Sequence, residues 1–255
     1  MLPSDRRRAF GWWFLAAVGI NLALYMSNLY TALLDMQGDA LLFFEYSRAL
    51  GYTPLLMPLV SAIPFATALA EDFSGGFWLL TVSRSGRGRY QNSKFLAAVL
   101  SGGMAAALSM LLYAAFLVLR YPGDLSRVSR WVDTNYARDI LKAGGLGNVA
   151  VFFLGVLLLQ FLAGGFWAGV AITFSAYCPN APLALCAPLV LYRLVDEIGG
   201  AVAFPAFLSP ARLAEATAGL SFWPTMLAGV TVFPFYIAAL YVLFRLGMKR
   251  RWRVA

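Results

Sequence analysis

The chain has 255 residues, of which 61% are hydrophobic and only 13% are charged. Several apolar runs reach the roughly 20 residues that a helix needs to cross the bilayer core, so the composition excludes an ordinary soluble domain. The net charge of +8 is concentrated in short basic loops, which indicates a rim facing membrane lipid and argues against nucleic-acid binding.

Six membrane spans are predicted within one transmembrane domain that covers residues 1–255. Backbone in lipid must satisfy its own hydrogen bonds, and these runs lack the alternating period of barrel strands, so we predict an all-α fold. The expected spans are about 10–28, 52–70, 94–119, 149–176, 182–202 and 223–247.

Basic residues indicate the orientation of these spans. No small-residue cleavage site follows the first apolar run, so we expect this helix to be retained rather than removed as a signal peptide. Arg6–Arg8, Arg84–Lys94 and Arg245–Arg253 are expected on one face, which the positive-inside rule places in the cytoplasm of a cell-membrane protein together with both termini. On the opposite face acids balance bases, and Glu45, Arg48 and Glu215 are assigned to its loops.

The loop between spans two and three combines features suited to a partner. An acidic pair ends the span, two glycines permit a sharp turn, a short aromatic helix follows, and arginines come next. The candidate residues are Glu71, Asp72, Gly75, Gly76, Phe77, Trp78, Leu80 and Arg84. A plain interfacial connector, with aromatic side chains in the headgroup layer and arginines on anionic lipid, is the alternative interpretation.

This order of residues resembles the permease subunits of ABC-2 type transporters, in particular the small six-span permeases that pair with a separate ATPase. The matching positions are Pro64, Phe65, Ala66, Glu71, Asp72, Gly75 or Gly76, Arg84, Tyr90 and Lys94. The motif covers about 30 residues, and the six-span layout extends the resemblance to nearly the whole chain. The chain departs from the family in the short segment before its first span, so any elbow helix must be brief or merge into that span, around Arg6–Trp13.

The resemblance implies a fold like that of type V ABC exporters. A coupling helix at about 71–83 would dock into a groove on the ATPase, with apolar side chains as anchors and Glu71, Asp72 and Arg84 as a polar rim. The expected assembly is two ATPase subunits and two permease chains, as a homodimer. ATP and Mg would bind to the partner ATPase, with no cofactor on this chain.

Catalytic chemistry is not expected on this chain. Histidine is absent, which removes histidine-based proton transfer and most catalytic zinc sites. The glycine-rich segment 145–150 follows no strand, so we interpret its dinucleotide-like spacing as coincidence. We therefore predict no catalytic residues and no metal site.

The fifth span contains the cluster Arg193, Asp196 and Glu197. Charges at membrane depth are costly, so these residues are candidates for a substrate path or gate. Their spacing also permits a structural ion pair along one helix face, and both interpretations remain open. The interrupted segment 199–222 is expected to form either a re-entrant hairpin or an ordinary folded outer loop.

The expected function is a permease subunit that exports an amphiphilic substrate, such as a peptide, an antibiotic or a lipid-like molecule. A secondary carrier driven by an ion gradient is an alternative, although no repeated half with matching broken helices is evident. A membrane scaffold without transport is a further alternative.

Overall fold

A computed structural model describes residues 1–35, 40–49, 51–120, 146–201, 205–215 and 220–254, and these residues are helical apart from short connections. The helices are α1 (Pro3–Ala9), α2 (Trp12–Asp35), α3 (Ala40–Ala49), α4 (Thr53–Ala62), α5 (Ala68–Ser74), α6 (Phe77–Ser85), α7 (Arg87–Arg120), α8 (Leu146–Tyr177), α9 (Ala181–Ala201), α10 (Pro210–Glu215) and α11 (Phe222–Val254), with a 3₁₀ turn at Ala206–Leu208. The all-α prediction is confirmed for this part of the chain.

Among the described residues, four helical segments are long and apolar enough to cross a membrane: Pro3–Leu34, Arg87–Arg120, Gly147–Tyr177 and Phe222–Trp252. Helices of this length and composition indicate a multi-pass membrane protein. They correspond to the first, third, fourth and sixth predicted spans, and the longest continue beyond the apolar run into charged ends.

The second and fifth predicted spans differ from this pattern. The second is divided into α4 and α5, because Pro64 lies in the turn between them and has no N–H to continue the ladder. The turn stays compact, since the Ala66 N–H donates to the Ala62 carbonyl at 2.9 Å. The fifth is the 21-residue helix α9, whose apolar run is interrupted by three charges.

Close contact between α7 and α8 forms the centre of the bundle. A methyl group added at Gly102 would lie 2.6 Å from the Ser61 carbonyl oxygen and 3.0 Å from that of Gly164. The backbone of α7 therefore lies so close to those of α4 and α8 that only a very small residue fits between them, as is common where membrane helices pack. Around this seam the largest buried side chains, including Trp167 and Tyr113, fill the core.

Contacts gather the basic segments at one end of the bundle, which we call the basic end. The Leu2 N–H donates to the Ser93 hydroxyl at 2.6 Å, which places α1 against α7. The guanidinium of Arg87 lies 5.3 Å from the centre of the Trp252 ring, which brings the last turn of α11 to the same place. The N-terminus, α5–α6 and the C-terminal turn therefore lie together.

At the opposite end, α3 and α10 fold into the bundle. The Tyr113 hydroxyl donates to the Ser47 hydroxyl at 2.6 Å, and Leu213 of α10 is fully buried in the main core. The described part of the segment 199–222 is therefore largely packed against other helices, and residues 202–204 and 216–219 lie outside the description. The loop that the sequence predicts between the third and fourth spans, about 121–147, falls mostly on residues 121–145, which also lie outside the description.

Glu45 and Arg48, expected in a loop of the opposite face, lie on the helix α3 at that end of the bundle. Both side chains are buried, and Arg48 Nη2 lies 2.5 Å from Glu45 Oε2. Arg48 also donates to the Ala214 carbonyl at 3.3 Å, as Gln160 does from α8. The two charges can be buried because they neutralise each other, and the Arg48 guanidinium also satisfies the Ala214 carbonyl near the end of α10.

Candidate coupling segment and its ion-pair network

Asp72 is the centre of an ion-pair network at the basic end. Its Oδ1 lies 3.1 Å from Arg8 Nη1, and its Oδ2 lies 2.6 Å from Lys94 Nζ. The Tyr90 hydroxyl donates to the same Oδ2 at 2.9 Å. One carboxylate thus joins α1, α5 and α7.

Lys94 is buried with only 3% exposure, and two carboxylates compensate for its desolvation. Besides Asp72, it contacts Asp5 Oδ1 at 2.8 Å, and Asp5 in turn accepts the Ser93 hydroxyl proton. The ammonium also lies 5.4 Å from the centres of the Phe65 and Tyr90 rings, a favourable cation–π distance. The lysine is therefore held from several sides.

Arg8 completes the network at its surface. It pairs with both Glu71 and Asp72, whose side chains are 51% and 13% exposed. The Glu71 pair lies in contact with solvent and contributes about 0–1 kcal/mol, whereas breaking a buried pair costs about 3–5 kcal/mol. Anchoring of α5 therefore depends on Asp72 more than on Glu71.

The short helix α1 supplies Arg8 and Asp5 to this network. It spans Pro3–Ala9, and α2 begins at Trp12 after a break at Phe10 and Gly11. Pro3 starts the helix because its missing N–H would have no intrahelical acceptor there. This brief helix matches the expectation for the segment before the first span, although its bounds differ from Arg6–Trp13.

A glycine turn divides the predicted coupling helix into α5 and α6. Gly76 has φ +69°, a left-handed conformation that favours glycine. Gly75 has little room for a side chain, because an added methyl would lie 2.8 Å from the Phe77 ring. The single helix expected at 71–83 was therefore wrong in its bounds, and its exposed part is α6.

Helix α6 has no buried residue. Phe77, Leu79 and Leu80 are exposed, whereas Trp78 is half-buried and packs edge-on against Phe73 at 5.6 Å between ring centres. One face of α6, with Trp78 and Val82, packs against the buried core at the basic end. The other face presents large apolar side chains outward. Leu79 was missing from the candidate residues, although the apolar run signalled it.

The groove beside α6 has a basic rim. Its volume is about 500 Å³, and it is lined by Leu2 and Pro3 of the N-terminus, by Phe77 and Leu80, and by polar residues that include Arg84 and Arg89. Glu71 and Asp72 do not line it, since they pair with Arg8 and Lys94. Asp72 thus has an anchoring role, and the expected role of the two acids as a docking rim stays a prediction.

Arg193, Asp196 and Glu197 lie apart from this segment. They lie 12–16 residues after Ala181, the first residue of α9, which at 1.5 Å per residue is about 18–24 Å along the helix. All three side chains are exposed. Within the described residues no ion pair joins Arg193 to either acid, so the expected pairing along the helix is not formed. A role in gating stays a prediction.

Metal-binding chemistry has no obvious site in the residues that the structure describes. No group of three or more cysteine, aspartate or glutamate side chains there could hold an ion. Cys178 and Cys186 are free thiols.

No protein-family model, curated protein or solved structure matches this chain. The fold and the site therefore define a class only: an all-helical, multi-pass membrane protein with an exposed apolar helix anchored by buried ion pairs.

Proposed function

We propose that the chain is the permease subunit of an ABC-2 type transporter. In this proposal it exports an amphiphilic substrate across the cell membrane, with energy from a separate ATPase subunit that binds ATP and Mg. Two permease chains and two ATPase subunits form the assembly, both termini of the permease are cytoplasmic, and the chain has no catalytic site of its own.

The observation that carries the proposal is the contrast between the two faces of the α5–α6 segment. Asp72 attaches it to α1 and α7, and Trp78 packs against the buried core, while Phe77, Leu79 and Leu80 face outward. A helix that only connected two spans would not need buried ion pairs to hold it. A helix that transmits force needs a rigid base and an apolar surface for its partner.

The energetics fit a docking helix of this size. Burying one large apolar side chain contributes about 1.5–3 kcal/mol, and a few such anchors dominate most interfaces. The arginines beside the groove would contact acidic side chains of the ATPase, which favours association and orientation more than affinity.

Six spans are part of the proposal. Besides the four long helices, α4–α5 and α9 would cross the bilayer, with the break at Pro64 covered by protein. This arrangement is supported by the contacts that gather α1, α5–α6 and the end of α11 at the basic end.

The alternative of an interfacial connector predicts the same exposure of α6 but a different partner. In that case Phe77 and Leu80 would lie among lipid headgroups, and their removal would not affect the binding of any partner protein. An ion-driven carrier or a scaffold likewise predicts no bound ATPase.

Gentle purification of the tagged chain from its native membrane, followed by mass spectrometry, separates these functions. We expect a stoichiometric P-loop ATPase in the complex of the unaltered protein. The double variant Phe77→Ala/Leu80→Ala should lose at least about tenfold of it, since two anchors of this size contribute more than 1.4 kcal/mol.

A matched control is available on α11. Leu227 and Phe235 are 72% and 70% exposed, close to the 60% and 65% of Leu80 and Phe77, so Leu227→Ala/Phe235→Ala removes the same atoms elsewhere. This control should retain the ATPase. Retention by the α6 variant, or absence of any ATPase from the unaltered protein, would overturn the proposal.

A further inference from the structure

A cleft of about 460 Å³ opens at the basic end between α5–α6 and the last turns of α8 and α11. Aromatic rings of Phe73, Trp78 and Tyr177 line it together with Arg250 and Arg251. The volume falls within the usual range for small-ligand sites. Its lining combines apolar walls with two cations.

Arg251 is fixed in this cleft. Its Nε donates to the Ala176 carbonyl at 2.7 Å and its Nη2 to the Tyr177 carbonyl at 2.8 Å, which satisfies two of the open carbonyls at the end of α8. The guanidinium also lies 5.1 Å from the centre of the Phe73 ring. Nη1 makes no hydrogen bond to the described residues, so one edge of the group stays available for a ligand.

The positive charge of the cleft is not compensated within the described residues. Arg250 is exposed, and no acid lines the cleft. The acids nearest to Phe73 along the chain, Glu71 and Asp72, pair with Arg8 and Lys94. An anion therefore meets attraction here without a competing carboxylate.

The cleft lies where two long apolar segments end, Gly147–Tyr177 and Phe222–Trp252. Tryptophan and tyrosine favour the membrane–water interface, where their rings contact both acyl chains and headgroups. This position and these residue types are the ones expected at the depth of the lipid headgroups, in either leaflet.

We propose that this cleft binds the phosphate of an anionic phospholipid. Arg250 and the open edge of Arg251 would contact phosphate oxygens, for which the planar guanidinium fork is well suited. Trp78 and Tyr177 would pack on the glycerol and the first acyl carbons. The bound lipid would then join α6 to α8 and α11, independently of whether an ATPase docks on the outer face of α6.

Native mass spectrometry tests whether the cleft binds lipid. The whole chain is used, together with any partner protein that co-purifies with it. The protein in detergent is incubated with phosphatidylglycerol or with phosphatidylcholine, and bound lipids are counted. We expect one retained phosphatidylglycerol per chain and a clear preference over phosphatidylcholine. Arg250→Gln should weaken this binding about fivefold, as expected for one arginine near an anionic headgroup.

Lys249→Gln is the matched control. Lys249 is exposed and adjacent, and its loss changes the charge equally, but it does not line the cleft. The control should bind phosphatidylglycerol normally. Arg250→Lys, which keeps the charge but loses the planar fork, should bind more weakly than the unaltered protein and more tightly than Arg250→Gln.

Three results would overturn the proposal. Equal binding of phosphatidylglycerol and phosphatidylcholine would show that the cleft does not prefer an anionic headgroup. Equal losses of binding in Arg250→Gln and Lys249→Gln would show attraction to the basic surface in general. Displacement of phosphatidylglycerol by millimolar inorganic phosphate would assign the cleft to a soluble anion instead of a lipid. ATPase co-purification is recorded in parallel, so failure of the lipid site is distinguishable from failure of the transporter assignment.

Discussion

Asp72 holds the α5–α6 segment in place, because its two oxygens accept partners from α1 and α7 at once. Asp72→Asn would leave Lys94 with Asp5 as its only carboxylate partner in the described network. We expect a loss of about 3 kcal/mol, within the range for breaking a buried pair. Thermal unfolding in detergent, followed by intrinsic fluorescence, measures it as a lower Tm.

Glu71→Gln is the control for this prediction. Its carboxylate is half exposed, so removal of its charge should cost no more than about 1 kcal/mol. Equal shifts in Tm for the two variants would contradict the central role of Asp72.

Gly76 provides a test of the turn itself. With φ +69°, Gly76→Ala would place a side chain in the left-handed region, at a cost of about 1–2 kcal/mol. A methyl group there meets no atom within 4 Å, so the cost is conformational rather than steric. We expect a lower Tm and weaker ATPase co-purification.

Gly88→Ala isolates this cause. Gly88 also has no neighbour within 4 Å, but it lies in the first turn of α7 and has no positive φ. Alanine is favoured over glycine in a helix by at most about 0.5–1 kcal/mol, so this variant should be neutral or slightly more stable. A Tm that falls equally in both variants would exclude the backbone explanation.

At the level of elements, α3 is joined to α10 by Arg48, which pairs with Glu45 within α3 and donates to the Ala214 carbonyl of α10. Arg48→Met would leave Glu45 as an uncompensated buried charge and remove a donor to the Ala214 carbonyl. The expected loss is about 3–5 kcal/mol, measured by thermal unfolding. Faster modification of a cysteine placed at Ala211, which is now buried, would report the release of α10.

The double variant Glu45→Gln/Arg48→Met should recover much of this loss. It removes both charges, and replacing a whole buried pair by neutral groups is often close to neutral in stability. If the double variant is as unstable as Arg48→Met, the loss comes from the missing contacts of Arg48 and the charge argument fails.

At the scale of the whole molecule, the six-span proposal predicts which segments lie on the same side of the membrane. Ser4 and Ser83 are exposed at the basic end, whereas Tyr52, between α3 and α4, is exposed near the other. In a background with both native cysteines replaced by alanine, an impermeant thiol reagent added to intact cells should label Tyr52→Cys. Ser4→Cys and Ser83→Cys should react only after the membrane is opened.

This outcome depends on α4–α5 crossing the bilayer. If only the four long helices crossed, α6 would lie on the same side as Tyr52 and opposite the N-terminus. Labelling of Ser83→Cys in intact cells, with Ser4→Cys protected, would therefore contradict the six-span proposal.

Hydropathy was sufficient to predict the long helices, because crossing a bilayer requires a continuous apolar helix. The predicted boundaries of the helices were less accurate. Helix α7 begins at Arg87, whereas the span was predicted to begin near 94, and α11 ends at Val254, whereas the span was predicted to end near 247. Charged ends remain helical because the backbone hydrogen bonds persist beyond the apolar part. The break at Pro64 was readable as a local signal, but the run 52–70 was interpreted as one helix.

Local sequence also indicated the turn at Gly75–Gly76 and the apolar character of α6, since backbone freedom and side-chain polarity belong to single residues. The partners of the two acids in this segment could not be read locally. Glu71 and Asp72 were expected at the docking rim, and their common partner Arg8 lies 63 and 64 positions earlier in the chain. Pairs at such separation form only when helices meet.

The sequence alone thus determined that the protein is all-helical, lies in a membrane and carries its excess charge in a few basic runs, because these properties follow from the composition of each segment. Only the tertiary structure decided that Asp72 and Lys94 anchor the exposed helix, that Glu45 and Arg48 are buried, and that arginines meet aromatic rings in one cleft. Burial and ion pairing depend on distances between helices, and those distances are set by packing of the whole bundle.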